Sequence, residues 1–150
     1  AHSGIRPGFI AALRVADHLF DESRKLSYQE LEKAKPLAVE AAEWYSKARG
    51  FSGLLPTEKQ LIGIDYGSAL EMSSQLDLAI SEYRVASEIP GDARAFALLK
   101  LGGAYESQGN RAQAEAAYQK ITVDFASSDV APEARNGIRR MKSPNFGAKS

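Results

Sequence analysis

The 150 residues predict an all-α fold, an α-solenoid of three helical hairpins closed by a C-terminal capping helix. Three observations predict it. Seven stretches carry apolar residues at spacings of three and four, the period of an amphipathic helix. No stretch alternates with period two for long enough to build a sheet. A pattern of small residue, three positions, tyrosine, two positions, small or apolar residue occurs three times, starting at residues 41, 79 and 114. The length suits one domain of about 1–142 followed by a flexible tail at 143–150.

Segment one runs from about Gly8 to Glu22, with Phe9, Leu13, Ala16 and Phe20 on one face. Segment two opens at Ser27, where Glu30 completes a capping box, and stops at Gly50. Pro36 lies inside it, and its missing N–H and bulky ring predict a kink or break near Lys35. Segment three begins at Pro56-Thr57, with Gln60 placed for a second capping box, and ends near Met72. Segment four starts near Ser74 and stops at Pro90-Gly91. Asp92 caps segment five, Gly109-Asn110 turns the chain, and segment six continues to Asp124. Ser128 or Asp129 caps segment seven, whose first turn tolerates Pro132 and whose core face is Val130, Ala134, Ile138 and Met141. The hairpins therefore cover about 8–49, 57–89 and 92–125, with the cap at 129–142.

The repeat has a physical rationale. Glycine inside a helix costs roughly 1 kcal/mol relative to alanine, so Gly67 and Gly102 at matching places imply close helix approach. On this reading Ala79 and Ala114 keep each crossing narrow, and the tyrosine one turn later fills the widening gap. A single hairpin cannot bury both faces, so neighbours must stack and the last must be capped.

From Ala95 to Ser128, the residues Leu98, Leu101, Gly102, Tyr105, Gly109, Ala114, Tyr118 and Ile121 stand at the spacings of a tetratricopeptide repeat. Tyr66-Gly67, Leu70, Ala79, Tyr83 and Ala86 repeat the pattern, and Ala41, Tyr45 and Ala48 repeat its second half. The chain resembles that family over 60–128 and in part over 27–50, while segment one lacks the leucine-glycine signature. The run from Leu99 to Tyr105, Gln108-Gly109-Asn110, Phe125 to Ser128 and Ala131-Pro132-Glu133-Ala134 is also similar to the terminal repeats of bacterial envelope proteins of the Tol-Pal coordinator and outer-membrane assembly lipoprotein type. Ala126 replaces the proline usual after the second helix, and there is no lipoprotein cysteine.

The resemblance implies a concave groove that holds a protein or peptide. Carried over by position, its lining would be Leu61, Ile64, Ser68, Glu71 and Met72 from one unit, and Phe96, Leu99, Gly103, Glu106 and Ser107 from the next. The apolar members among these can equally be packed under segments one and two. Leu99 and Gly103 stand where the chaperone-tail type of groove has its carboxylate-clamping lysine and asparagine, so that specialised activity is not implied. The resemblance further implies a periplasmic or cell-envelope location, with the cytoplasm as the alternative.

Chemistry is bounded by what the chain lacks. Zero cysteines exclude disulfides, thiolate metal sites and cysteine nucleophiles. Nineteen basic against nineteen acidic residues give no global attraction to nucleic acid or anionic lipid. No apolar run reaches the roughly 18 residues needed to span a bilayer. No charged-then-apolar leader is visible, and Ala1-His2-Ser3-Gly4 reads as either a mature terminus or a cloning remnant.

Phosphate loops, nucleophile elbows and His-Glu-x-x-His are absent, and Gly102-Gly103 with Gly109 does not sit between a strand and a helix. His18 with Asp17, Asp21 and Glu22 has metal-like composition but reads as a solvated helix face, since no second histidine is close in sequence. The pairs Glu40/Glu43 and Glu30/Glu32 read as surface charge. Trp44 and Tyr45 read as core. Arg135, Arg139, Arg140, Lys142 and Lys149 form a basic end, either a solvated cap helix or a patch for an acidic protein, nucleic acid or lipid.

The expectation is a non-enzymatic module without cofactor or metal that binds a protein or peptide. The rivals are a self-associating structural block, separable by light scattering, and a binder acting through the basic end, separable by salt-sensitive binding lost on charge reversal. An enzyme would require a deep polar cavity with convergent ionisable groups.

Overall fold

A computed structural model describes residues 6–26 and 30–145. Seven α-helices and no strand are present among them: α1 (Pro7–Leu26), α2 (Leu31–Arg49), α3 (Pro56–Met72), α4 (Leu76–Glu88), α5 (Arg94–Gln108), α6 (Arg111–Asp124) and α7 (Ala131–Lys142). Each helix packs chiefly on its neighbours in sequence, and lesser contacts join α3 to α5 and α5 to α7. Short connections place consecutive helices side by side, which is the packing of a helical repeat. The main core is built from alanines, leucines, isoleucines and four tyrosines (Tyr45, Tyr83, Tyr105 and Tyr118), with Ala16, Ala41, Ala69, Ala79, Ala114 and Ala134 fully buried.

Tyr45, Tyr83 and Tyr118 are 1%, 0% and 2% exposed. Each belongs to the second helix of a pair, and each hydroxyl donates to a carboxylate on the first helix: Tyr45 to Asp17 at 2.8 Å, Tyr83 to Glu71 at 2.6 Å, Tyr118 to Glu106 at 2.8 Å. A buried phenol needs an acceptor, and a carboxylate is the strongest one available. Burial, reinforced by the adjacent carboxylate, pushes all three phenols well above the ordinary tyrosine range.

The glycines serve these rings rather than the alanines. A methyl on Gly67 would stand 2.5 Å from Tyr83 Cε1, and one on Gly102 would stand 2.5 Å from Tyr118 Cε1. The close approach expected of Gly67 and Gly102 is therefore made to an aromatic face. Gly137 on α7 meets the other side of Tyr118, which lies between two glycines.

Several local expectations are corrected. Ser27 lies outside the described residues; Glu30 occupies the N-cap of α2 without a side-chain cap and pairs instead with Lys33 at 2.9 Å. Pro36 does not break α2. The helix starts only at Leu31, so the carbonyl robbed of a partner is that of Glu32 in the first turn, where Glu32 and Pro36 are both exposed to water.

Gln60 caps no N-terminus. It is 1% exposed, and its amide donates to the carbonyls of Ala86 at 3.1 Å and Ile89 at 2.6 Å, closing the far end of α4. Glu58 takes the role at the start of α3, accepting from the Leu55 N–H at 2.7 Å and binding Arg6 through both oxygens.

Asp92 is not the cap of α5, because the chain makes one further turn and Ala93 stands at the N-cap. Neither Ser128 nor Asp129 caps α7; its N-cap is Val130, and the Ser128 hydroxyl is buried without a hydrogen-bond partner. Gly109 does turn the chain, at φ 79°, and Asn110 accepts from the Gln113 N–H.

The buried face of α7 is Ala131, Ala134, Gly137 and Met141, with Val130 and Ile138 at its margin. Gly137 faces inward because Tyr118 already fills the space beneath it. Of the expected tail, Ser143 accepts from Arg111 at 3.0 Å through its carbonyl, and 146–150, with Lys149, lie outside the described residues. His2 and the Ala1-to-Gly4 opening also lie outside them.

Candidate functional site

A concavity of ≈450 Å³ opens between α1, α3 and α5. Phe20 and Arg24 come from α1; Ile64, Asp65, Ser68, Glu71 and Met72 from α3; Phe96 and Lys100 from α5. The tyrosine anchors hold α2, α4 and α6 behind, which leaves one face each of α1, α3 and α5 to line this space. Five of the ten candidate groove residues meet here: Ile64, Ser68, Glu71, Met72 and Phe96. The other five do not. Leu61 is 54% exposed but outside the lining, and Leu99 packs on the core. Gly103 is half-buried and Ser107 is exposed, both outside the lining. Glu106 is committed to Tyr118 and Arg140.

Four lining residues, Phe20, Arg24, Asp65 and Lys100, were missed by the sequence reading. Asp65 and Lys100 stand 35 residues apart, the same offset that separates Gly67 from Gly102 and Tyr83 from Tyr118, so the repeat register could have found them. Phe20 and Arg24 had no such signal, since segment one carries no repeat signature.

The walls differ in how their polar groups are satisfied. Ser68 donates to the Ile64 carbonyl at 3.0 Å and lies 3.1 Å from the Tyr83 hydroxyl, which itself donates to Glu71. Arg24 binds Asp21 at 2.7 Å and lies 5.5 Å over the Phe20 ring. Lys100 lies 5.9 Å over the Phe96 ring. Asp65 receives no hydrogen bond and forms no ion pair with any described residue. Burial and the nearby Asp17 charge push its carboxyl up to about 6, against the weaker pull of Lys100 and Arg24.

The basic end is only partly a free patch. Arg135, Arg139 and Lys142 are exposed, but Arg140 binds Glu106 at 2.9 Å and Glu133 at 3.1 Å, fastening α7 to α5. Arg139 is hydrogen-bonded to Asn136. Burial alone would raise the Glu106 carboxyl, but hydrogen bonds from Arg140 and Tyr118 outweigh it and hold Glu106 below the usual range.

Glu106→Ala therefore leaves a buried phenol without its acceptor and costs about 1–3 kcal/mol, most of it from Tyr118, since the half-exposed Arg140 pair contributes little. Urea melts check this. Because the folded carboxyl is depressed, its contribution is complete above the ordinary glutamate range. The charge-dependent part is lost as acid protonates the carboxyl, so the stability gap between wild type and Glu106→Ala narrows at low pH, while the protonated carboxyl still accepts from Tyr118.

Around His18 the carboxylates are occupied, Asp17 by Tyr45, Asp21 by Arg24 and Lys25, and Glu22 by Lys25. Among the described residues no group of three His, Asp or Glu side chains is placed to hold a metal. None of the described helices is long and apolar enough to cross a membrane. Tyr45 is core as expected, whereas Trp44 is half-buried and stacks with Lys47 at 4.0 Å beside a second concavity lined by Gly8, Ala12 and Phe51. No family model, curated protein or solved structure matches the chain.

Proposed function

We propose that the protein is a non-enzymatic binding module, a solenoid of tetratricopeptide-like hairpins capped by α7, that holds a peptide or protein segment in the α1–α3–α5 concavity. The observation that carries this reading is the lining itself. Two aromatic rings, Phe20 and Phe96, flank apolar Ile64 and Met72, and the space of ≈450 Å³ accommodates side chains of a bound segment. The repeated small-x-x-x-Tyr pattern, each tyrosine anchored to a carboxylate of the preceding helix, supports the repeat reading. Folds do not dictate function, so the site bears the argument and the likeness to the family only adds to it. A cell-envelope location is part of the same proposal and is tested by fractionating cells that produce the full-length gene product.

The basic end is the weaker candidate, because Arg140 is already paired with Glu106 and Glu133. Phe96, 41% exposed at the rim, is the residue to test. Leu99 is unsuited, since a charge there would enter the core. Phe96→Glu is expected to keep its helical circular dichroism and to lose the partners that the wild type captures from native lysate, with at least a tenfold fall in affinity for any partner then purified. Equal capture by both proteins would overturn the groove assignment.

A further inference from the structure

Asp65 is the anomaly of the concavity. Its carboxyl is half-buried and receives no hydrogen bond or ion pair from any described residue, although taking an anion partly out of water is costly unless something compensates it. Every other carboxylate around it is committed: Asp17 accepts from Tyr45, Asp21 from Arg24, and Glu71 from Tyr83. The cations of the rim compensate it only in part, their pull being weaker than the effect of burial and of Asp17. Arg24 is engaged by Asp21 and spread over Phe20, and Lys100 approaches Phe96 without coming within ion-pair distance of Asp65.

The surrounding chemistry suits a cation with an apolar stem. Phe20, Phe96 and Met72 offer surface for methylenes, and aromatic faces in this space already hold cationic groups. We infer that Asp65 anchors a basic side chain, a lysine ammonium or an arginine guanidinium, of the segment held in this groove; the inference rests on the groove reading above. The incoming cation forms with Asp65 the short charge-assisted hydrogen bond that the protein itself withholds.

The groups facing Asp65 set the pH response. Asp17 and Arg24 come from α1, Lys100 from α5, and the Tyr45 hydroxyl of α2 and the Tyr83 hydroxyl of α4 feel its charge directly. Burial and Asp17 make Asp65 easier to protonate than an ordinary aspartate, so binding should weaken as pH falls through about 6.

The test uses a displayed library of random heptapeptides, panned on the described chain at pH 7.5, with the enriched peptides synthesised and titrated by fluorescence anisotropy. Enriched peptides are expected to carry a lysine or arginine. They should bind Asp65→Asn at least tenfold more weakly than wild type, and replacing their basic residue by glutamine should cost as much for wild type and nothing further for Asp65→Asn. Affinity for wild type should fall between pH 7.5 and 5, and that for Asp65→Asn should not. Enriched peptides without a basic residue, or undiminished binding to Asp65→Asn, would overturn the role of Asp65; if Phe96→Glu still abolishes their binding, the groove reading stands. A library from which wild type enriches nothing beyond what Phe96→Glu enriches would overturn both. Thermal melts of Asp65→Asn separate lost binding from lost folding.

Discussion

Alanine at Gly102 or at Gly137 is expected to destabilise the protein, although alanine favours a helix by about 1 kcal/mol over glycine. The new methyl at Gly102 would stand 2.5 Å from Tyr118 Cε1, and the one at Gly137 would collide with the opposite edge of the same ring. Tyr118 cannot move aside, since its hydroxyl is held by Glu106 at 2.8 Å and the ring is buried between α5 and α7. Overpacking of this kind costs about 1–3 kcal/mol and can exceed that where backbone must shift, so each single variant should lose about 2 kcal/mol net in urea melts. Tm should fall by about 4–8 °C for a chain of this size. The two substitutions press on one ring, so their costs should not add. Reducing the ring in Tyr118→Leu should make alanine at Gly102 harmless or favourable. Equal costs in both backgrounds would mean that the glycine serves something other than the tyrosine.

Asp65→Asn is expected to act in the opposite direction on stability. The folded carboxyl is raised from 3.8 to about 6, so the native state binds a proton that the unfolded chain has already released. Stability is therefore highest while Asp65 is protonated and falls as pH rises through that window. Asparagine keeps the shape without the charge. It should raise stability by about 1–3 kcal/mol at pH 7.5, leave it unchanged below pH 4, and flatten the pH dependence between. Chemical denaturation at four pH values checks this. A destabilised Asp65→Asn at neutral pH would mean that the carboxylate is compensated within the fold. A variant that is more stable yet binds basic peptides less well is the pattern expected of a residue kept for binding at some cost to folding.

These two sites differ in how far residue order alone revealed them. The spacing of Gly102, Ala114 and Tyr118, and of Gly67, Ala79 and Tyr83, was enough to expect close hairpins, because helical period and the size of a side chain are local properties of the chain. What the glycines touch was misread. A spacing argument pairs the small residues with each other, whereas the ring of the tyrosine reaches back across the interface to the glycine.

Gly137 went unnoticed for a related reason, since it belongs to a third helix that meets Tyr118 only once α7 has docked. The caps erred likewise. Gln60 has the spacing of a capping residue, yet burial against α4 gives its amide better acceptors in the carbonyls of Ala86 and Ile89.

The helical class, the number of helices, their limits to within a few residues and the repeated tyrosines Tyr45, Tyr83 and Tyr118 were all legible in residue order, because each depends on neighbours within one or two turns. The tertiary arrangement alone decided which candidate residues meet. It brought Phe20 and Arg24 of α1 beside Asp65 and Lys100, turned Leu99 and Glu106 away from the concavity, and left the half-buried Asp65 without a hydrogen bond or ion pair from any described residue. Distances between chain-remote side chains follow from how whole helices pack, and no local pattern encodes them.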